Sequence, residues 1–207
     1  MLKIILVKNI LITESQLESL MSNISSNKDF FRKVLEAYPK SKNLLPFIEK
    51  TINDSGVGNM TIEPLKYGSG VSLPNRVAIS TSVLSYPLHI FLFTIFHELA
   101  HQLQFKKYGY EKMMELYNDD ISVEDAADLM YGIEIVADEY ATRKLRELVK
   151  LKLLPNNIVL PTGLYKKTPK QTFIKIVEMV KEMIQGLDYK NSEELGEKLY
   201  NALKTQV

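Results

Sequence analysis

The chain has 207 residues, no cysteine, and a formal net charge of +1 from 26 basic and 25 acidic side chains. With 45% apolar and 25% charged residues, it has the composition of a globular protein large enough to bury a substantial core. The balanced charge offers no electrostatic case for a nucleic-acid partner, and the missing cysteines exclude disulfides and thiolate metal sites.

In chain order, Leu2 to Val7 reads as a short strand or buried segment. Thr13 opens a helix through a capping box with Gln16, followed by Leu17, Leu20, Met21 and Ile24 at helical spacing. Helices are predicted over Asp29 to Tyr38, stopping before Pro39, and over Leu45 to Asn53, ended by "NDSGVG". Met60 to Leu65 reads as a strand, "YGSG" and "LPN" as turns, and Arg76 to Ser80 as a second strand with alternating apolar residues. A long helix starts near Pro87 and runs to about Lys107, before Gly109. Its stretch Phe91 to Phe96 is apolar nearly all round, which predicts burial. Ser122, with Asp125 in a second capping box, starts another helix that extends to Lys152. After a loop, "PNNIVLPTGLYKKTP", two helices follow, Lys170 to Gln185 and Ser192 to Leu203. The basic "KKTPK" within that loop reads as a solvated stretch.

No signal peptide is read at the N-terminus. The longest other apolar run, Val83 to Phe96, is too short to span a bilayer. The expectation is a soluble, cytoplasmic protein without a membrane partner.

Two of the three histidines lie four residues apart in "TIFHELAHQLQ". His97 and His101 therefore project from one helix face, a spacing at which two neutral imidazoles can bind one zinc ion. Glu98 is offset around the helix, near enough to reach a water on the metal without being a ligand; the pattern is HExxH. The bland alternative is a local pair between Glu98 and His101 within a core helix. A third ligand must come from elsewhere. Gln104 and Lys107 occupy the positions that a histidine-ligand extension of the motif would need, and His89 is two turns back and rotated off the face. In "YGIEIVADEYA", Glu134 and Asp138 stand four apart among apolar neighbours. Two such carboxylates repel each other and want a positive group or donor opposite. Glu134 can take the metal, and Asp138 can accept the free ring N–H of a ligating histidine. The alternative is a solvated acidic face.

HExxH followed one helix later by ExxAD resembles the gluzincin group of zinc metallopeptidases, to which thermolysin belongs. The likeness covers roughly Met60 to Lys150. It implies one zinc per chain held by His97, His101 and Glu134, Glu98 as catalytic base, and Asp138 bonded to His97. It also implies an α+β, mostly helical fold: a minimal zincin core with a small antiparallel or mixed sheet packed on the HExxH helix, beside a second ligand-bearing helix. The expected organisation is a helical N-terminal segment (residues 1–55), a zincin-like core (56–153) and a C-terminal loop and helices (154–207), forming one compact domain.

The expected reaction is peptide-bond hydrolysis by metal-activated water, with Glu98 moving the proton. Tyr131, one turn before Glu134, is the first candidate for a second oxyanion donor; Tyr140, Tyr165 and His89 are alternatives. A protein or peptide substrate is expected to add as a strand along Arg76 to Ser80, taken as a sheet edge, or that strand merely packs on the core. "NNIVLPTGLYKK" either covers the site or is an ordinary connection. The alternative function is an inactive, zinc-stabilised binding or structural module.

Overall fold

A computed structural model describes residues 5–7, 10–12, 27–118, 120–161 and 168–204. The fold is α+β and mostly helical, with one three-stranded mixed sheet. A separate two-stranded ribbon pairs β1 (Ile5–Val7) with β2 (Ile10–Ile12). The helix expected from Thr13 lies outside the described residues. α1 (Lys28–Ala37) and α2 (Leu45–Ser55) are joined by a 3-10 turn over Pro39–Leu44, because Pro39 cannot continue the first helix. Gly56, at φ 80°, ends α2 in the left-handed region that glycine enters without steric cost.

The sheet has the order β3 (Asn59–Glu63), β5 (Arg76–Ser80), β4 (Gly70–Leu73). β3 is parallel to β5 and β4 is antiparallel to it. Arg76–Ser80 is therefore the central strand and not an edge, so no added strand can pair along it. β3 and β4 take up its two sides, which apolar alternation along one strand does not reveal, and Val77, Ala78 and Ile79 are all buried, so both of its faces are covered as well. The strand beyond it, β4, falls where turn residues predominate in the sequence. Only four residues long, it starts with a glycine and ends at a tight connection. There Pro74 presets one backbone angle and Asn75 takes a φ of 59°, which asparagine tolerates. Asn75 also accepts a 2.6 Å hydrogen bond from the Gly58 N–H through its side chain, tying the turn to the start of β3. Among the described residues β4 pairs only with β5, so its outer side is the sheet edge next to the long helix.

That helix, α3 (Leu88–Tyr108), runs through the middle of the core. Phe91, Leu92, Ile95, Phe96 and Leu99 are fully buried. They meet Ile48 and Ile52 of α2, Ile62, Val77 and Ile79 of the sheet, and Ala141, Leu145 and Leu148 of α5 (Val123–Lys150). Between α3 and α5 lie the short helix α4 (Tyr110–Met114) and a 3-10 turn, Glu115–Tyr117, in a stretch with no sequence-level assignment. Ser122 caps α5 by accepting from the Asp125 N–H, as its capping box predicts. Ala137 and Ala141 are buried without remainder, and such small side chains let α5 lie close against α3. α6 (Lys170–Ile184) covers the start of α5 through Phe173 and Val177. Lys181 on α6 donates to the carbonyls of Asn118 and Ile121, both at 2.7 Å, and so fixes the loop into α5. α7 (Ser192–Leu203) packs Tyr200 on the sheet against Leu73 and Ala78. No helix among the described residues is long and apolar enough to cross a membrane.

The β4–β5 turn is pinned to α3 by one side chain. Buried Gln102 donates through Nε2 to the carbonyls of Leu73 at 2.8 Å and Arg76 at 3.1 Å. Gln102→Ala leaves both acceptors without that donor and is expected to cost about 1–3 kcal/mol. Urea unfolding should show a lower midpoint at an unchanged slope.

Candidate metal centre

His97 and His101 face α5 from consecutive turns of α3, in a region where both are largely withdrawn from solvent. Their Nε2 atoms are 3.1 Å apart. Glu134 reaches into the same space: its carboxylate oxygens lie 3.0 Å from His97 Nε2 and 3.6 Å from His101 Nε2. The donor atoms of these three residues all lie within 4.8 Å of one another. A tetrahedral ion with bonds near 2.0–2.1 Å sets its ligand atoms about 3.3 Å apart. The nitrogen pair at 3.1 Å and the nitrogen–oxygen distances, each to a different oxygen of Glu134, lie near that value, and two imidazoles with one carboxylate form a donor set suited to a divalent metal ion.

Each ring is held by its other nitrogen. His97 Nδ1 lies 3.2 Å from Oδ1 of Asp138, which is 3% exposed. His101 Nδ1 lies 2.8 Å from Oε1 of Gln104, whose Nε2 donates at 3.0 Å to the Ile133 carbonyl. When each Nδ1 carries the proton it donates to its acceptor, both Nε2 lone pairs point into the space beside Glu134. Sequence reasoning weighed position 104 only as the glycine of an extended HExxHxxGxxH motif, whose further histidine would stand at Lys107. The signal for Gln104 was its place one turn after His101, on the same face.

Glu98 is buried beside β4. Ser72 Oγ lies 2.9 Å from its Oε2 and 2.8 Å from its backbone carbonyl oxygen. A Cβ on Gly70 would come within 2.7 Å of the Glu98 carboxylate, so that strand position must be glycine for the acid to sit there. Ser72 carried no sequence signal and Gly70 was read only as part of the turn "YGSG", because β4 itself was not recognised.

The three ligand candidates and Glu98 line a cleft of about 650 Å³. Gly68 to Ser72 also line it. Its other walls are mainly apolar, with Phe93 and Phe105 from α3, Met113 from α4, and Met130 and Ile133 from α5. Tyr131 is not among the lining residues. Its ring packs edge-on against Phe173 of α6, 5.3 Å between centroids, because α6 covers that face of α5. Tyr140 packs against the main core, and His89 sits at the start of α3 away from the cleft. Tyr165 lies outside the described residues; of the connection after α5, Pro161 reaches the cleft wall. The tyrosines that do line it are Tyr86, Tyr110 and Tyr117. Burial raises the Tyr117 pKa well above its usual value, and the negative charge of Glu134 raises it further, so this phenol stays protonated.

No family model, curated protein or solved structure matches this chain.

Electrostatics at His97 have a measurable consequence. Burial alone lowers its pKa, but the hydrogen bonds to Asp138 and Glu134 and the field of Glu98 outweigh burial and lift it from 6.5 to about 10 in the metal-free protein. The folded state thus holds this proton more tightly than the unfolded chain does. Its contribution to stability is complete below pH 6.5 and disappears as pH rises from 6.5 to about 10. Urea midpoints of the chelator-treated protein should fall across that range, and His97→Gln should remove that part of the decline.

Proposed function

We propose that the protein is a zinc-dependent metallopeptidase of the gluzincin type. The observation that carries this reading is the convergence of His97 Nε2, His101 Nε2 and the Glu134 carboxylate within reach of one ion, beside a buried glutamate that is not one of the three. Support also comes from Asp138 and Gln104, which hold the two rings by their far nitrogens as metal-ligating histidines require. Zinc is the ion favoured by a donor set of two imidazoles and one carboxylate with no thiolate.

When bound, zinc lowers the pKa of a coordinated water towards neutrality and polarises a carbonyl oxygen. The remaining chemistry belongs to the chain. Glu98 accepts the proton of the attacking water and returns it to the leaving amine. Ser72 restrains that carboxylate between the two transfers. Tyr117, protonated and close to Glu134, takes the place first assigned to Tyr131 as donor to the developing oxyanion. An extended protein or peptide substrate pairs along the free side of β4, which borders the cleft, in place of Arg76–Ser80. The absence of cysteine agrees with a reducing compartment such as the cytoplasm.

Metal analysis and peptide turnover test this together. The purified protein should carry one zinc per chain, and Glu134→Ala should lose it. Glu98→Gln should keep the zinc while hydrolysis of denatured casein falls by about 10²–10⁴-fold. Full metal retention by Glu134→Ala would overturn the ligand set. Zinc binding with no turnover by the unaltered protein would instead favour an inactive, zinc-stabilised module.

A further inference from the structure

The cleft lining includes Tyr110, the first residue of α4. Its ring stands perpendicular to Phe105, 4.9 Å between centroids, and the two rings form a continuous aromatic surface. The Tyr110 hydroxyl leaves the cleft and enters a notch in the C-terminal helix α7. A Cβ on Gly196 would lie 1.8 Å from that oxygen, 3.0 Å from ring Cζ and 3.2 Å from Leu73. Gly196 is buried in the middle of a helix, where glycine is otherwise a poor choice. Its value here is the space it leaves.

The helix cannot step back to make that space another way. Arg76 donates to the Tyr200 hydroxyl at 2.6 Å and lies 4.2 Å over its ring. Tyr200 is 1% exposed and its hydroxyl also donates to Glu63 on β3. α7 is thus held against the sheet by the same face that receives Tyr110, with Gly196 one turn before Tyr200 and beside Leu73. Any side chain at position 196 must therefore displace the Tyr110 ring.

We propose that Tyr110 is a substrate-positioning residue, its ring forming the wall on which an apolar side chain of the peptide rests, and that Gly196 of the C-terminal helix sets its position. This rests on the metallopeptidase reading and assigns a part of the substrate cleft to a helix distant in sequence from the HExxH segment.

The test uses two ligands on the full-length zinc-loaded protein, read by calorimetry. Acetohydroxamate reports on the metal alone; a leucyl-phenylalanine hydroxamate adds apolar side chains. Gly196→Ala should weaken the dipeptide ligand about fivefold and leave acetohydroxamate unchanged. Adding Tyr110→Phe to Gly196→Ala removes the clashing hydroxyl and should restore most of the affinity. Tyr110→Ala alone should weaken only the dipeptide ligand, and it decides the matter if Gly196→Ala does not fold. Unchanged dipeptide affinity in Gly196→Ala and Tyr110→Ala, equal weakening of both ligands, or no recovery in the double variant would each overturn the proposal. Failure of both ligands to bind the unaltered protein would sink the metal site itself and this inference with it.

Discussion

The structure is organised around a meeting of charges inside an apolar core. Two histidines on α3 and two carboxylates on α5 face one another where solvent is largely excluded. None of the four would be tolerable there alone, because an unpaired buried charge is costly. Together they are tolerable: Asp138 holds one ring, Gln104 holds the other, and Glu134 closes the remaining side. This requires α3 and α5 to run close together over several turns, and the buried alanines of α5 permit that approach. The surrounding aromatic and aliphatic side chains of α2, the sheet and α3 keep water away and hold the helices at that distance.

Around this centre the molecule is built asymmetrically. One side, formed by α1, α2 and the sheet, is a large apolar core that fixes α3. The other side is assembled from short pieces: α4, the 3-10 turn after it, and the two C-terminal helices. Those pieces are tied by polar groups at defined points, such as Lys181 on the loop carbonyls and the Arg76–Tyr200 contact. The cleft lies at the junction, with His97 and His101 on the helix that the large core fixes and Tyr110, Met113, Met114, Leu116 and Tyr117 from the assembled side.

Much of the helical framework was legible because it depends on local signals. Capping boxes, prolines and glycines mark the ends of α1, α3 and α5 within a few residues. His97, His101, Glu134 and Asp138 were legible because helical spacing decides which side chains share a face, and the structure brings all four together. What was not legible depends on partners far away in sequence. Tyr131 does lie one turn from Glu134, but only the arrival of Phe173 from α6 shows that its ring is taken up elsewhere. The strand Arg76–Ser80 was recognised, yet its central place depends on Gly70–Leu73, whose first and last residues read as parts of turns. Gln104 and Ser72 are ordinary polar residues until the atoms they touch are known.

The link between Ser72 and Glu98 joins two things that are usually separate. The residue steadying the acid belongs to the outermost ribbon of the sheet, and Gly70 of that same ribbon presses against the acid's side chain. Displacing this strand moves the carboxylate with it. On the peptidase reading proposed above, substrate docking on β4 and proton transfer at Glu98 are geared to each other through one backbone, so a loosely seated substrate leaves the carboxylate misaligned.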